Sequence, residues 1–364
     1  MKFLGALALA STAFAFDSDW TAWKAKYNKS FGSDEAQRYA NFVSMKKFIQ
    51  EHNARHAAGL ETYTVALNEF SHMTNEEFKS QYLMPKTEQR LQSVQQYECP
   101  NSFVSDGSTP PTTVTYTTTN NPAGQVQVTK VKNQGQCGSC WTFGSSAAME
   151  AQLCRLGLQD CSSWSGLATQ QLVDCASFTG YQSQEGVPTV VDLNPYSDNG
   201  CKGGFQSNAF RYVWTVGAQA QWDDWTYISG VTEKMQICPF ENYQDNVIEA
   251  STFINTCGGT TSGDETELTE AVAQVGAMTV SIDAEGRGFQ SYSSGVYYNP
   301  YCSSTSLDHA VTLTGYGVDG SQDYWEIKNS WGTGWGQDGY IYMARNENNN
   351  CGVATDARYP MLQN

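Results

Sequence analysis

The sequence predicts an α+β protein whose globular part runs from a helical half into a strand half. Two observations carry this. Trp141 to Leu156 has helical spacing and good helix formers in Ala147, Ala148, Met149 and Glu150. The last hundred residues instead break into short β-rich runs bounded by Gly, Asp or Asn: Met278 to Ile282, Gly295 to Tyr298, Ala310 to Gly315, Tyr324 to Lys328 and Gly339 to Ala344.

The segments ahead of this globular part read differently. Lys2, the apolar run Phe3 to Ala10 and the small-residue site Ala13-Phe14-Ala15 make residues 1–15 a signal peptide. That run is too short to anchor in a bilayer, and no later run is long and apolar enough to span one. A secreted protein, or one of a lysosome- or vacuole-like acidic compartment, is expected. Residues 17–83 hold the clustered charge and no cysteine. Within them Phe31 to Gly59 reads as a helix, because Ala36, Tyr39, Phe42, Val43, Met45, Phe48 and Ile49 recur at three- and four-residue steps. Residues 85–125 are rich in Gln, Ser, Thr and Pro and read as an exposed linker open to proteolysis.

A net charge of −16 argues against a nucleic-acid partner, which needs basic surface to neutralise phosphate. Eleven cysteines fit an oxidising lumen, and their odd number leaves at least one thiol over unless chains pair.

The chemistry centres on Asn133-Gln134-Gly135-Gln136-Cys137-Gly138-Ser139-Cys140-Trp141. Two cysteines three apart can be a redox pair, half a zinc site, or one structural cysteine beside one reactive cysteine. No βαβ pattern surrounds them, which disfavours a thioredoxin-type pair. No second cysteine or histidine pair stands at similar spacing, which disfavours zinc, and no metal or other cofactor is expected. A reactive thiol needs a base near neutral pKa. Of the four histidines, His52, His56 and His72 precede the linker, leaving His309 for a chain cut there. An imidazole acting as base needs an acceptor to hold its ring, and Asn329, in Lys328-Asn329-Ser330-Trp331-Gly332, offers an uncharged one.

Together these motifs resemble the papain-like cysteine proteases of the cathepsin kind. The resemblance covers Gln134, Cys137 to Trp141, Gln171 to Cys175, Gly200 to Gly204, Asp308 to Val311 and Asn329 to Gly332. Upstream, the family's spaced prosegment motif Glu-Arg-Phe-Asn-Ile-Asn is matched by Asp34, Arg38, Phe42, Met45, Ile49 and Asn53, and its G-x-N-x-F-x-D motif by Ala66, Asn68, Phe70 and His72. Trp20 and Trp23 resemble the aromatic start of the same segment. Histidine at 72 departs from the family's Asp, which is associated with pH-dependent processing.

The resemblance implies a papain-like two-domain fold: a helical left domain, an antiparallel β-barrel-like right domain and a cleft between them, preceded by a mainly helical prosegment. The expected boundaries are an inhibitory propeptide at 16–105 and a peptidase domain at 106–362, its helical half about 126–248 and its β half about 249–358. It implies a cysteine endopeptidase made as a zymogen. Cys140 as thiolate, paired with the His309 imidazolium, attacks the scissile carbonyl; Gln134 and the Cys140 backbone N–H hold the oxyanion; Asn329 orients the imidazole and Trp331 shields it. Polypeptides are the substrates and the chain's own propeptide is an intramolecular inhibitor of an expected monomer.

The resemblance also places substrate against Gly203 and Gly204 and a P2 pocket at Phe205, Gln206, Ser281, Leu307, Ala310 and Asp356. Its walls favour apolar side chains; Asp356 at the floor adds Arg or Lys. It pairs Cys137 with Cys201, Cys175 with Cys238 and Cys302 with Cys351. Cys99, Cys154, Cys161 and Cys257 then allow three connectivities, of which Cys154–Cys161 with Cys99–Cys257 is the favoured guess. Two departures stand out. Cys175 and Cys201 are 26 residues apart, a longer gap than the family usually has, and residues 177–199 read as a surface loop. The Asp-Trp-Arg that usually opens the mature chain is replaced by Thr115-Tyr116-Thr117. Two rival readings remain open: a catalytically silent homologue acting as a binding protein, and a disulfide oxidoreductase using Cys137 and Cys140.

Overall fold

A computed structural model describes residues 17–93, 95–176, 198–238, 247–249 and 256–361. The predicted signal peptide lies outside the described residues, as does the 177–199 loop apart from Asp198 and Asn199.

The N-terminal unit holds helices α1 (Ser18–Tyr27) and α2 (Glu35–Ala57), strand β1 (Tyr63–Val65), and helices α3 (Asn75–Tyr82) and α4 (Thr87–Ser93). Asp17 caps α1 by accepting the Trp20 N–H at 2.8 Å. Trp20 and Trp23 then stack on each other and pack on Phe42 of α2, and all three are buried. Asn53 explains its place in the prosegment motif: it donates to the Val65 carbonyl and accepts the Val65 N–H, fixing β1 beside α2. α3 begins in a capping box, with Thr74 and Glu77 each bonding the other's backbone N–H.

The chain continues through β2 (Asn101–Ser102) and β3 (Val114–Thr115) into α5 (Cys140–Arg155), α6 (Thr169–Cys175), α7 (Gln206–Val216), β4 (Ala218–Ala220), α8 (Ser229–Thr232) and β5 (Val247–Glu249). The strand half follows: β6 (Thr256–Thr260), α9 (Glu265–Val275), β7 (Met278–Ile282), α10 (Arg287–Gln290), β8 (Tyr292–Tyr297), β9 (His309–Asp319), β10 (Gln322–Lys328), β11 (Tyr340–Ala344) and β12 (Ala357–Met361). These strands form one sheet in the order β1-β8-β11-β10-β9-β7-β12-β6-β2, with β3 also on β9. Most pairs are antiparallel; β11–β8 and β2–β6 are parallel.

Two cores result. Trp141, Leu153, Leu172, Phe210 and Val213 fill the helical side, and Val280, Leu313, Trp325, Ile327 and Ile341 the strand side. α5 lies against β7 and β9, so its first residue meets the start of β9 at the seam. The prosegment crosses that seam. β1 adds itself to the sheet through Tyr63↔Gly295 and Thr64↔Ser294, Phe70, Phe78 and Tyr82 enter the strand-side core, and Met84 enters the helical one.

Residues 85–125 are not an exposed linker throughout. Arg90, Val114 and Tyr116 are buried, and the Tyr116 hydroxyl donates to the Val272 carbonyl. The polar composition here serves side chain–backbone bonds, such as Asn121 to the Thr115, Thr118 and Gln125 carbonyls.

Candidate active site

Cys140 opens α5, and the loop before it is held by backbone. Gly138 N–H donates to the Cys201 carbonyl at 2.9 Å, and a Cβ on Gly138 would stand 2.6 Å from that oxygen, so only glycine fits. The disulfide Cys137–Cys201 closes the same junction. The structure also pairs Cys175 with Cys238, Cys302 with Cys351, Cys154 with Cys161 and Cys99 with Cys257. Among the described residues Cys140 is the one free thiol.

The sulfur of Cys140 accepts the Ala310 N–H at 3.4 Å. Ala310 follows His309, whose Nε2 lies 2.8 Å from Asn329 Oδ1. That oxygen also accepts the Ser330 N–H at 2.8 Å, which fixes the amide. An amide oxygen can only accept, so Nε2 carries the imidazole hydrogen and Nδ1 its lone pair. Nδ1 has no hydrogen-bond partner. Trp331 stacks on the His309 ring at 4.6 Å between centroids. Phe70 and Phe78 from the prosegment stand edge-on to Trp331 and complete its enclosure.

Gln134 is equally fixed. Its Oε1 accepts the Ser330 hydroxyl at 2.6 Å, which turns its Nε2 outward to donate to the carbonyls of Cys137 and Tyr82, at 2.9 and 3.0 Å. A prosegment carbonyl therefore occupies the Gln134 donor. Beyond Tyr82 the prosegment runs along the seam. Met84 N–H donates to the Asp308 carbonyl at 2.8 Å and Thr87 N–H to the Leu307 carbonyl at 3.0 Å. Gly203, at φ +100°, lies where a Cβ would come 3.2 Å from Met84 Cβ. A Cβ on Gly204 would stand 2.7 Å from both Trp141 and Asp198.

Arg90 ends this path. Its guanidinium carbon stands 4.8 Å from the centre of the Phe205 ring, and it donates to the Leu307 and Pro85 carbonyls. Beneath lies a chain of polar contacts: Gln206 donates to Ser281, Ser281 to Asp356 Oδ2 at 3.0 Å, and Arg358 to Asp356 Oδ1 at 2.7 Å. Phe205, Gln206, Ser281, Leu307 and Asp356 are thus brought into one neighbourhood. Arg358, which the sequence reading did not single out, partly neutralises Asp356 and extends to Glu98 at 3.4 Å. Nor did that reading anticipate Tyr82, Met84, Lys86 or Arg90, whose roles depend on where the prosegment crosses the seam, or the hold of the Ser330 hydroxyl on Gln134.

The electrostatics of this closed form differ from the expected ion pair. Complete burial pushes the Cys140 thiol up to about 12, against the pull of the Ala310 N–H and Arg90. Burial likewise pushes His309 down to about 4, against its bond to Asn329. With water excluded, burial favours the neutral thiol and imidazole over the thiolate–imidazolium pair while the prosegment is seated.

A family profile described as "Papain family cysteine protease" matches residues 117–361, and one for the "Cathepsin propeptide inhibitor domain (I29)" matches residues 20–78. Digestive cysteine proteinase 1 of Homarus americanus is 38% identical over 99% of this chain and 98% of its own length. Cathepsin L2 of Homo sapiens is 34% identical over 97% and 96%. Digestive procathepsin L 3 of the Tenebrio molitor larval midgut has a similar structure, with a TM-score of 0.76 and 32% identity over 95% of this chain and 99% of that one. With a free cysteine at a helix start, a histidine held by an asparagine and a prosegment lying across both, the chain belongs to the papain family of cysteine proteases, as a cathepsin L-like endopeptidase that carries its inhibitor domain in the same polypeptide.

Proposed function

We propose that Cys140 is the nucleophile, His309 the base and acid, Asn329 the group that orients the ring, and that Gln134 with the Cys140 backbone N–H holds the oxyanion. The observation that carries this reading is the His309 tautomer: Nε2–H is committed to Asn329, and the unpartnered Nδ1 lone pair is left to receive a proton. Once the cleft fills with water, the thiol proton passes to Nδ1. The thiolate attacks the scissile carbonyl, and the electron pair displaced onto oxygen is met by the two N–H donors. Collapse expels the amine, which takes the Nδ1 proton, and leaves a thioester. Water, deprotonated by His309, then releases the acid and regenerates the thiol.

The prosegment inhibits by occupying this path backwards. A substrate lays its P2 side chain in the Phe205 pocket ahead of the scissile bond. The prosegment meets Gln134 at Tyr82 first and reaches Phe205 only at Arg90. Its peptide bonds are therefore presented in the reverse sense.

The P2 pocket accepts apolar side chains and Arg or Lys. Support comes from the Arg90 guanidinium seated over Phe205 and from Asp356 beneath it, although Arg358 shares that carboxylate and limits the preference. The enzyme is made with a removable leader at 1–15 and as a propeptide ahead of a peptidase. The boundary read from the sequence at 105/106 is here put ahead of Cys99, because Cys99 is bonded to Cys257 and Asn101 pairs with β6. The enzyme works in a secretory or lysosome-like compartment as a monomer.

The test is acid activation of wild type beside Cys140→Ala, following chain size and hydrolysis of dipeptide substrates bearing Leu-Arg or Arg-Arg. Shortening and cleavage by wild type alone is the expected result. A wild type that is trimmed by added protease yet cleaves nothing overturns the reading. Asp356→Ala should lower the ratio of kcat/KM for P2-Arg over P2-Leu, and an unchanged ratio removes Asp356 from specificity.

A further inference from the structure

Next to the reacting pair, three carboxylates converge on one cation. Asp283 follows β7, Glu285 stands two residues on, and Asp308 immediately precedes His309. One oxygen from each lies within 4.8 Å of the others. The Lys86 ammonium stands among them, 3.4 Å from Asp283 Oδ1, 3.2 Å from Glu285 Oε2 and 3.2 Å from Asp308 Oδ2. It also donates to the Ser306 carbonyl at 3.2 Å. Lys86 belongs to the prosegment that blocks the cleft, just ahead of α4. The carboxylates belong to the peptidase and stay when the prosegment leaves.

The cluster is preformed. Asp283 Oδ2 accepts the Ser303 N–H at 2.7 Å, and Asp308 Oδ1 accepts the Ala284 N–H at 2.9 Å. These backbone donors aim the remaining oxygens at the cation. The Asp308 side chain is only 2% exposed, and its Oδ2 receives no hydrogen bond, facing only the ammonium. Burial works against the Lys86 charge, yet Asp308, Asp283 and Glu285 together hold its pKa above the ordinary value. Burial raises Asp308 to about 7 even so, so losing Lys86 leaves a costly unpaired carboxylate.

We propose that in the activated enzyme Asp283, Glu285 and Asp308 form a subsite for a Lys or Arg side chain of the polypeptide substrate, separate from the pocket floored by Asp356. Lys86 is the precedent: it ends the short non-helical segment between α3 and α4, where Met84 N–H bonds the Asp308 carbonyl and Thr87 N–H the Leu307 carbonyl. A peptide in the cleft can therefore deliver an ammonium here. The Ser306 carbonyl supplies a fourth acceptor on the same point. The proposal rests on Cys140 and His309 being the reacting pair, because Asp308 is placed beside the scissile bond only through His309.

The experiment scans lysine through a neutral peptide, one position at a time from P3 to P3′, and measures kcat/KM against the alanine parent for activated wild type, Glu285→Gln, Asp283→Asn and Asp356→Ala. Lysine should be preferred at one position by about five-fold, the effect of a partly exposed ion pair. That ratio should fall toward one in Glu285→Gln and Asp283→Asn and persist in Asp356→Ala. No preferred position, or a preference lost in Asp356→Ala but retained in the other two, overturns the proposal. So does a calcium-dependent rise in Tm that Glu285→Gln abolishes with no lysine preference, which marks a metal site instead. Cleavage of the alanine parent by wild type reports separately on the Cys140–His309 pair.

Discussion

The Arg90 guanidinium covers the Phe205 ring at 4.8 Å while donating to the Leu307 carbonyl at 3.2 Å. A buried cation–π contact of this kind contributes on the order of 2 kcal/mol, and a charge-assisted hydrogen bond a comparable amount. Part of that sum is offset by desolvating the charge. Arg90→Ala should therefore loosen the prosegment and speed conversion of the zymogen by about ten-fold, a change equivalent to about 1.4 kcal/mol. Arg90→Met, which refills the apolar walls, should recover part of the loss. Conversion rates followed by gel at fixed pH decide it; equal rates for wild type and Arg90→Ala would show that the side chain fills the pocket without contributing to inhibition.

Closure of the cleft should also silence the thiol. With Cys140 near 12 and His309 near 4, the precursor holds almost no thiolate at neutral pH. Removing the prosegment restores water and lets the two groups share a proton as an ion pair. Alkylation of Cys140 by iodoacetamide should be more than a hundred-fold slower in the precursor, and in the activated enzyme it should stay fast well below pH 7. Rapid labelling of the Cys140→Ser-controlled site in the intact precursor would contradict the closed-state chemistry.

How much of this was readable beforehand follows from what each residue depends on. Cys140, His309 and Asn329 were legible because each sits in a local motif whose chemistry needs that residue type. α5 was legible within a residue at each end because its apolar spacing is strong, and β7 in full because a short β-branched run between glycine and aspartate has few alternatives. β1 was not, since three residues carry no periodicity and gain their place only by pairing with β8. α3 left a signal that was passed over, the Thr74-x-x-Glu77 capping box. Arg90 and Lys86 left none. Each is an isolated cation, and only the path of the prosegment across the seam, from a short non-helical segment into α4, sets one over Phe205 and the other among three carboxylates.

His72 should act as an acid-sensitive latch. It lies against Trp23 and Phe31, and its Nδ1 donates to the Glu69 carbonyl. Burial, with Lys29 and Arg38 nearby, lowers it to about 4 despite the Glu69 carbonyl and Glu77. The folded prosegment thus binds fewer protons than the unfolded one between pH 6.5 and 4. Its stability is full above that window and falls as pH drops through it, by at most about 3 kcal/mol. This is the opposite sign to a carboxylate with a raised value, such as Asp308, so the contribution must be isolated by substitution. His72→Asn keeps a donor for Glu69 and removes the titration. Its prosegment should melt with a flatter pH dependence between pH 6.5 and 4, measured by Tm in a Cys140→Ala background. An unchanged slope would remove His72 from the pH response.

The Cys99–Cys257 disulfide constrains where activation can cut. It ties the end of the prosegment to β6, beside the parallel pair Asn101↔Gly258. Arg90 lies on one side of it, in the pocket, and Glu98 adjoins it while reaching Arg358. A cut after Cys99 would leave the inhibitor tethered to the enzyme and able to reoccupy the cleft at high effective concentration. A cut within residues 91–98 frees it and keeps Cys99 as part of the mature chain. The second arrangement is expected for an enzyme that stays active after dilution. N-terminal sequencing of the activated protein should then start ahead of Cys99, and its mass should not change on reduction beyond the protons gained. A start beyond Cys99 with a free thiol at Cys257 would mean the bond is broken during activation. A start beyond Cys99 with a propeptide fragment released only by reductant would mean that inhibition persists until the bond is reduced.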